Sequence, residues 1–334
     1  MQHRKLGSSG LMVAELTYGT WLQHTEGEAL RMARAALELG YTTFDTADVY
    51  GATRTESVLG IALQGVRRES YVLSTKVFAR VGPGANDRGL SRKHIREACE
   101  ASLRRLGVEY IDIYNAHRFD SNVPLVETLR AFDDLIRQGK ILYVGVSEWT
   151  GPQISNALQI ADSLGLDRLV ANQVQYSLLW RPVEAEVSEV CAREGLGQMA
   201  WSPLAQGLLS GKYLPGREIP REYRAGGTFG SQFARRGLTA KVLERIADFG
   251  QLARDAGMTT AQLSLAWLLT RPTVSTVVIG ASREEQLREN IGASGLSIDV
   301  ELESAIDCLF DDIVERRADL IPSEPWDYGK GLEK

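Results

Sequence analysis

Four side chains able to hold or move a proton lie at the ends of short apolar runs. Asp45 and Tyr50 fall within Phe44-Asp45-Thr46-Ala47-Asp48-Val49-Tyr50-Gly51, Lys76 ends the run Tyr71–Lys76, and His117 follows Tyr110–Ala116. A tyrosine with its ordinary pKa near 10 is a poor proton donor at neutral pH. A lysine cation beside it favours the phenolate and brings that value down. A carboxylate next to the lysine would keep it charged and oriented, and a histidine can hydrogen-bond a substrate oxygen or help pass its proton. Such a set is a general acid aimed at an oxygen that gains charge during a reaction. Each residue also has an ordinary use: Asp45 as a helix N-cap, Tyr50 as loop packing, Lys76 as a solvated strand end, His117-Arg118 as a surface turn. Four such groups on three successive strand ends argue for chemistry.

The elements that must position them alternate. β-branched or aromatic runs at Glu15–Gly19, Thr42–Ala47, Tyr71–Lys76, Tyr110–Ala116, Ile141–Ser147, Val170–Tyr176, Gly197–Ser202 and Ser275–Gly280 are each followed by a helical pattern. Thr25-x-x-Glu28, Thr53-x-x-Glu56 and Ser282-x-x-Glu285 read as capping boxes. Ser91 opens a helix with Ile95, Cys99, Ser102, Leu103 and Leu106 on one face, stopped by Gly107. Leu125–Arg137 and Ile154–Leu164 close on Gly139 and Gly165 in the same way.

Eight strand–helix units in about 280 residues predict an α/β fold of the (β/α)8 TIM-barrel class. A doubly wound sheet would call for a G-x-G-x-x-G turn after an early strand, and the sequence has none. In a barrel the strand ends share one face, so Asp45, Tyr50, Lys76 and His117 would converge there. Two segments break the alternation. Leu6–Val13 predicts a small hairpin across the barrel bottom, and the Gly- and Arg-rich stretch 203–237 predicts an insertion of a length that is usually functional or disordered. The expected organisation is one domain over 1–334, with that insertion and a tail from about 316 to 334.

Composition narrows the function classes. The 334 residues are 44% hydrophobic and 24% charged, as in globular proteins, and the net charge of −5 gives no global field that would draw nucleic acid or an acidic membrane. No stretch of about 18 uncharged apolar residues predicts a membrane span. Met1-Gln2-His3-Arg4-Lys5 leads into no apolar segment, which argues against a secretory signal. Cys99, Cys191 and Cys308 are few and far apart, so the expected compartment is the reducing cytoplasm, without disulfides. The histidines form no metal-ligand pair and C-x-x-C is missing, so no metal site is expected and a metal-assisted barrel hydrolase is disfavoured.

A second set of residues suits a large polar ligand. Ser147, and Gln173 beside Asn172, lie on neighbouring strands, where a hydroxyl and an amide could hold a carboxamide. Trp201 ends the seventh run, where an indole could stack on a flat ring. The stretch 203–237 carries Lys212, Arg217, Arg221, Arg224, Arg235 and Arg236 against Glu218 and Glu222, a basic excess suited to a polyanion. Gly280 lets a phosphate approach, and the helix N-terminus that follows favours an anion. Arg283, Gln286 and Asn290 share one helix face by their spacing.

These pieces together resemble the aldo-keto reductases, in particular the subgroup related to potassium-channel β-subunits. The matching segments are Phe44 to Gly51, Thr75-Lys76, Gly89-Leu90-Ser91-Arg92-Lys93-His94-Ile95, Gly145-Val146-Ser147, Trp201-Ser202-Pro203-Leu204, Leu209-Ser210-Gly211-Lys212-Tyr213 and Ile279-Gly280-Ala281-Ser282, within a likeness running from about 4 to 315. The resemblance implies a barrel that binds NADPH or NADP+ in an extended form and reduces an aldehyde or ketone to an alcohol. It implies Tyr50 as proton donor, Lys76 as its pKa tuner, Asp45 as the partner of Lys76 and His117 as the group that orients the carbonyl. It assigns Ser147 and Gln173 to the nicotinamide carboxamide, with Glu148 a weaker assignment because that position varies. Trp201 would stack on the nicotinamide, with Thr20 and Trp21 nearby. Ser202, Pro203, Leu204, Gly207, Leu208, Lys212 and Arg224 would follow the pyrophosphate. Gly280, Ser282, Gln286, Glu289 and Asn290 would hold the adenosine end, and Arg283 a 2′-phosphate. The channel β-subunits commonly carry asparagine where this chain has His117, a departure toward the ordinary reductases. The alternative is a regulatory or assembly subunit that binds NADP(H) with little turnover. The expected partners are a small carbonyl substrate and, as the subgroup often assembles, further copies of the chain; nucleic acid and membrane are not expected.

Overall fold

Local signals set the helices. The structure, a computed structural model, describes residues 1–21, 25–221, 223, 225–226 and 237–321. Thr25 caps α1 (Glu26–Glu38) in a reciprocal box with Glu28, and Ser91 caps α3 (Arg92–Leu106) by accepting from the His94 backbone N–H. Thr150 with Gln153 caps α5 (Gly151–Leu164), and α4 (Leu125–Arg137) runs as the periodicity predicts. Gly107 and Gly165 sit in the left-handed region at the ends of α3 and α5, the conformation glycine adopts at least cost.

Two predicted capping boxes do not form. Before α2 (Arg54–Leu63), Thr53 has φ +73° and its side chain makes no cap, while Glu56 turns inward and is fully buried. Glu56 accepts from Thr75 Oγ1 at 2.6 Å and Arg105 Nε at 2.7 Å, a long-range pair that outcompetes the local one. At Ser282 the helix begins later, as Glu284–Ile291, with Arg283 at the N-cap and Gln286, not Glu285, reaching back.

All eight apolar runs form strands, their ends shifted by a residue or two. They are β3 (Leu16–Gly19), β4 (Thr43–Asp45), β5 (Val72–Val77), β6 (Ile111–Ala116), β7 (Ile141–Ser147), β8 (Leu169–Gln175), β9 (Gly197–Trp201) and β10 (Val274–Ile279). They pair in parallel and in order, and β10 closes on β3 to make an eight-stranded (β/α)8 barrel. The predicted hairpin is present as β1 (His3–Lys5) and β2 (Met12–Ala14), antiparallel, with Glu15 leading straight into β3. Helices α6 (Val187–Glu194), α7 (Ala240–Asp255), α8 (Thr260–Leu269), α9 (Glu284–Ile291) and α10 (Val300–Phe310) complete the described chain.

The main core lies between strands and helices. A smaller one fills the barrel floor, where Leu6 and Val13 from the hairpin segment meet Ile113, Ala171, Met199 and Val278 from the strands.

Candidate active site

Strand alternation sorts the barrel interior into layers. On β6 the inward order is Ile113, Asn115 and then His117 just past the strand; on β8 it is Ala171, then Gln173; on β9, Met199, then Trp201. On these three strands the lower layer is apolar and the upper one polar. Pairing places Asp45 beside Ser74, Lys76 beside Asn115, Asn115 beside Gly145, and Ser147 beside Gln173. Glycine at 145 leaves room for this amide: a Cβ would lie 2.0 Å from Asn115 Oδ1 and push it aside.

Asp45 is the hub. Its Oδ2 accepts from Lys76 Nζ at 2.6 Å, and its Oδ1 from Ser74 Oγ at 2.8 Å and Gln173 Nε2 at 2.9 Å. Lys76 also donates to the Thr46 carbonyl at 2.6 Å, and Asn115 Nδ2 donates to Ser74 Oγ at 3.0 Å. Lys76 is fully buried. Burial pulls its ammonium below the ordinary lysine value, against the opposing charge and hydrogen bond of Asp45.

Tyr50 lies over this pair, partly exposed, with Lys76 Nζ 5.0 Å from its ring centroid. The His117 ring meets it edge to face, centroids 5.8 Å apart. His117 is buried, and desolvation, reinforced by the Arg118 and Lys76 charges, holds its pKa well below the ordinary value. It is therefore a neutral imidazole near neutral pH. The four proton-handling residues singled out in the sequence thus meet in one place.

The neighbouring strand ends carry further polar groups. One Gln173 amide N–H is committed to Asp45, which leaves its second N–H and its carbonyl oxygen for a ligand. Ser147 Oγ accepts from Arg118 Nη1 at 3.3 Å, and that guanidinium also donates to the His117 carbonyl at 2.5 Å. Glu148 has φ +57°, and its Oε1 accepts from Trp201 Nε1 at 2.8 Å and from the Gln175 backbone N–H at 2.6 Å. Burial raises its pKa, opposed mainly by Arg118. Thr20 donates from its backbone N–H and its hydroxyl to the Asp45 carbonyl, and Trp21 follows it beyond the end of β3.

Past β9 the backbone turns sharply. Ser202 (φ +55°), Ala205 (φ +46°) and Gln206 (φ +60°) are left-handed without being glycine, and the 3-10 turn Ala205–Ser210 is broken at Gln206 and Gly207. Pro203 and Leu204 lie within this turn. Lys212 Nζ sits 5.3 Å from the Tyr213 ring and 5.1 Å from the Tyr223 ring. A Cβ on Gly207 would come within 2.9 Å of that ammonium. Arg224 lies outside the described residues.

After β10, Gly280, Ser282, Arg283 and Glu289 are exposed, Gln286 is half-buried and Asn290 is buried. Gln286 Oε1 already accepts from the Ser282 and Arg283 backbone N–H groups at 2.9 and 3.2 Å, so the donors expected to meet an anion are capped from within. Gln262 on α8 donates to the Glu289 carbonyl at 2.9 Å, which ties this segment to the helix under the 205–210 turn.

Arg118 and Asp48 were not singled out from the sequence, and Glu148 was only a weak candidate. The signal available for each was a charge beside an expected site residue. What they contact depends on strands far apart in the chain.

Comparison with known proteins agrees with this architecture. The profile of the Aldo/keto reductase family matches residues 15–309. A probable voltage-gated potassium channel subunit beta of Arabidopsis thaliana is 40% identical over 300 residues, covering 88% of this chain and 91% of the relative. A protein of the same description from Oryza sativa subsp. japonica is 38% identical over 332 residues, covering 97% and 98%. A putative voltage-gated potassium channel subunit beta of Schizosaccharomyces pombe is 41% identical over 303 residues, covering 87% of each. An eight-stranded barrel with this mouth, matched by the family profile over most of its length, makes the chain a member of the aldo/keto reductase family, similar to proteins described as channel β-subunits.

Proposed function

We propose that the protein reduces an aldehyde or ketone to an alcohol at the expense of NADPH. The observation that carries this reading is the buried Lys76–Asp45 pair beneath Tyr50, with neutral His117 against the same ring. When bound, the reduced nicotinamide supplies the hydride. Tyr50 gives its proton to the carbonyl oxygen as that oxygen gains charge. The Lys76 cation lowers the cost of the phenolate left behind, and Asp45 holds Lys76 in place. His117, neutral, donates an N–H to the same oxygen and orients it.

The donor set fits the dinucleotide. A hydroxyl, a side-chain amide and an indole stand at three neighbouring strand ends, Ser147, Gln173 and Trp201. Ser202, Pro203, Leu204, Gly207, Lys212 and Arg224 are read as the pyrophosphate path, and Gly280, Ser282, Arg283, Gln286, Glu289 and Asn290 as the adenosine end, with Thr20 and Trp21 at the mouth. We read 1–334 as one barrel domain with an insertion at about 203–237 and a tail at about 316–334, acting in the cytoplasm and assembling with its own copies.

The printed descriptions of the three relatives favour a second reading, a regulatory subunit that binds NADP(H) with little turnover. NADPH oxidation against a panel of aldehydes, ketones and quinones separates the two. Turnover lost in Tyr50→Phe, with NADPH binding kept, supports the reductase. Tight NADPH binding with no turnover of any carbonyl gives the lead to the regulatory reading.

A further inference from the structure

Glu148 takes no part in the proton-handling set, yet it is buried and holds an unusual backbone conformation for a glutamate. Gln175 and Trp201 are paired neighbours at the ends of β8 and β9, and Glu148 stands at the end of β7 beside them. One oxygen, Oε1, accepts from both: the Trp201 indole N–H at 2.8 Å and the Gln175 backbone N–H at 2.6 Å. An indole has a single polar group, that N–H donor. Once it is tied, rotation of the ring about its side-chain bonds breaks the bond. The left-handed φ of Glu148 is what such a site-directed carboxylate costs the backbone, and strain of this kind concentrates where geometry matters to function. On the other side, the charge of buried Arg118 acts on Glu148, while its guanidinium holds the His117 carbonyl and Ser147.

We propose that Glu148 is a positioning residue that locks the plane of the Trp201 indole at the barrel mouth, so that the ring is preset to stack on the nicotinamide. The part concerning nicotinamide rests on the reductase reading; the locking of the indole does not.

The test uses the full-length protein carrying 5-fluorotryptophan, with the Trp201 fluorine resonance assigned by its loss in Trp201→Phe. Without cofactor, wild type and Glu148→Gln, which keeps an acceptor, should give one narrow Trp201 line. Glu148→Leu should broaden, shift or split it. NADPH affinity, measured by quenching of tryptophan fluorescence, should fall about tenfold in Glu148→Leu, the effect of a lost hydrogen bond to a charged acceptor. It should stay within about threefold in Glu148→Gln. In a Trp201→Phe background the same Glu148→Leu change should cost nothing further.

Equal losses in both backgrounds would mean that Glu148 serves only the Gln175 backbone, and would overturn the proposal, as would an unchanged Trp201 line in Glu148→Leu. Should Glu148→Leu not fold, replacing the Trp201 indole by benzothiophene through an expanded genetic code removes the N–H alone. It should weaken NADPH binding as much as Glu148→Leu was expected to, and wild-type affinity would overturn the proposal. A wild type that binds no NADPH, while Trp201 still depends on Glu148, would instead sink the reductase reading.

Discussion

Buried carboxyls are handled differently at Glu15, on the barrel floor, and at Glu148 and Asp48, around its mouth. At the floor, both oxygens of Glu15 have partners. Glu15 is buried and accepts from Arg4 Nε at 2.7 Å, Ser294 Oγ at 3.0 Å and the Gly295 N–H at 2.9 Å. Burial alone would raise its pKa, but those three partners outweigh burial and hold it below the ordinary value. At the mouth the signs reverse. Burial raises the carboxyls of Glu148 and Asp48, for Asp48 with the nearby Glu56 charge adding to it. Among the described residues, the non-glycine ones with positive φ, Ala52, Thr53, Glu148, Ser202, Ala205 and Gln206, all follow strand C-termini. Local rules are kept where the barrel needs stability and broken where it needs chemistry.

The largest effect is expected at Tyr50. Tyr50→Phe should lower carbonyl turnover by about 10²–10⁴-fold with thermal stability and NADPH binding near wild type. Lys76→Met should lose comparable activity, but it also strands Asp45 in the interior, at about 3–5 kcal/mol of stability. The two activity losses should not add in the double variant, because both residues serve one proton transfer. A Tyr50→Phe variant that reduces aldehydes at the wild-type rate would remove Tyr50 from the mechanism.

At the floor the outcome should invert: Glu15→Ala should cost about 2 kcal/mol in urea unfolding while kcat/KM stays unchanged. A fall in kcat/KM larger than about threefold would show that the ends are coupled.

Acid and base should also affect the ends differently. The depressed Glu15 stabilises the fold above the unfolded value near 4.5, and this is lost as pH falls through its lower folded pKa. The raised Asp48 does the opposite: its contribution is complete below about the unfolded value of 3.8 and is lost as pH rises through its folded pKa. Asp48→Asn should therefore gain stability relative to wild type as pH rises. A stability difference that does not vary with pH would contradict the sign.

Two smaller tests sharpen the picture. NADPH should bind about 1–3 kcal/mol more tightly than NADH, and Arg283→Ala should weaken only NADPH. Equal loss for both cofactors would sink the 2′-phosphate assignment. Native alkylation read by mass spectrometry should label exposed Cys308, while Cys99 and Cys191, buried and pushed up to about 12, stay unlabelled. A disulfide between any two of them would count against a reducing compartment.

The sequence exposed what rests on period and punctuation. Eight strands, the caps at Thr25 and Ser91 and the convergence of Asp45, Tyr50, Lys76 and His117 follow from alternation and from strand ends sharing a face. It concealed what rests on partners far along the chain. Thr53-x-x-Glu56 has the spacing of a cap, but Glu56 pairs with Arg105, 49 residues away. Gln173 gave no sign that one of its amide N–H groups reaches Asp45, 128 residues away. Glu148 carried only a weak family assignment and a charge next to Ser147, because its partners sit on two other strands.

The Asp45 hub has a consequence for engineering. Its partners Ser74, Lys76 and Gln173 all come from hydrogen-bonded strands of the wall, not from the loops above. Loops that shape the mouth, such as the one between β5 and α3, can be exchanged without removing a side chain from that hub. A library that grafts foreign loops there should yield variants whose substrate choice diverges while their pH–rate profiles stay superimposable.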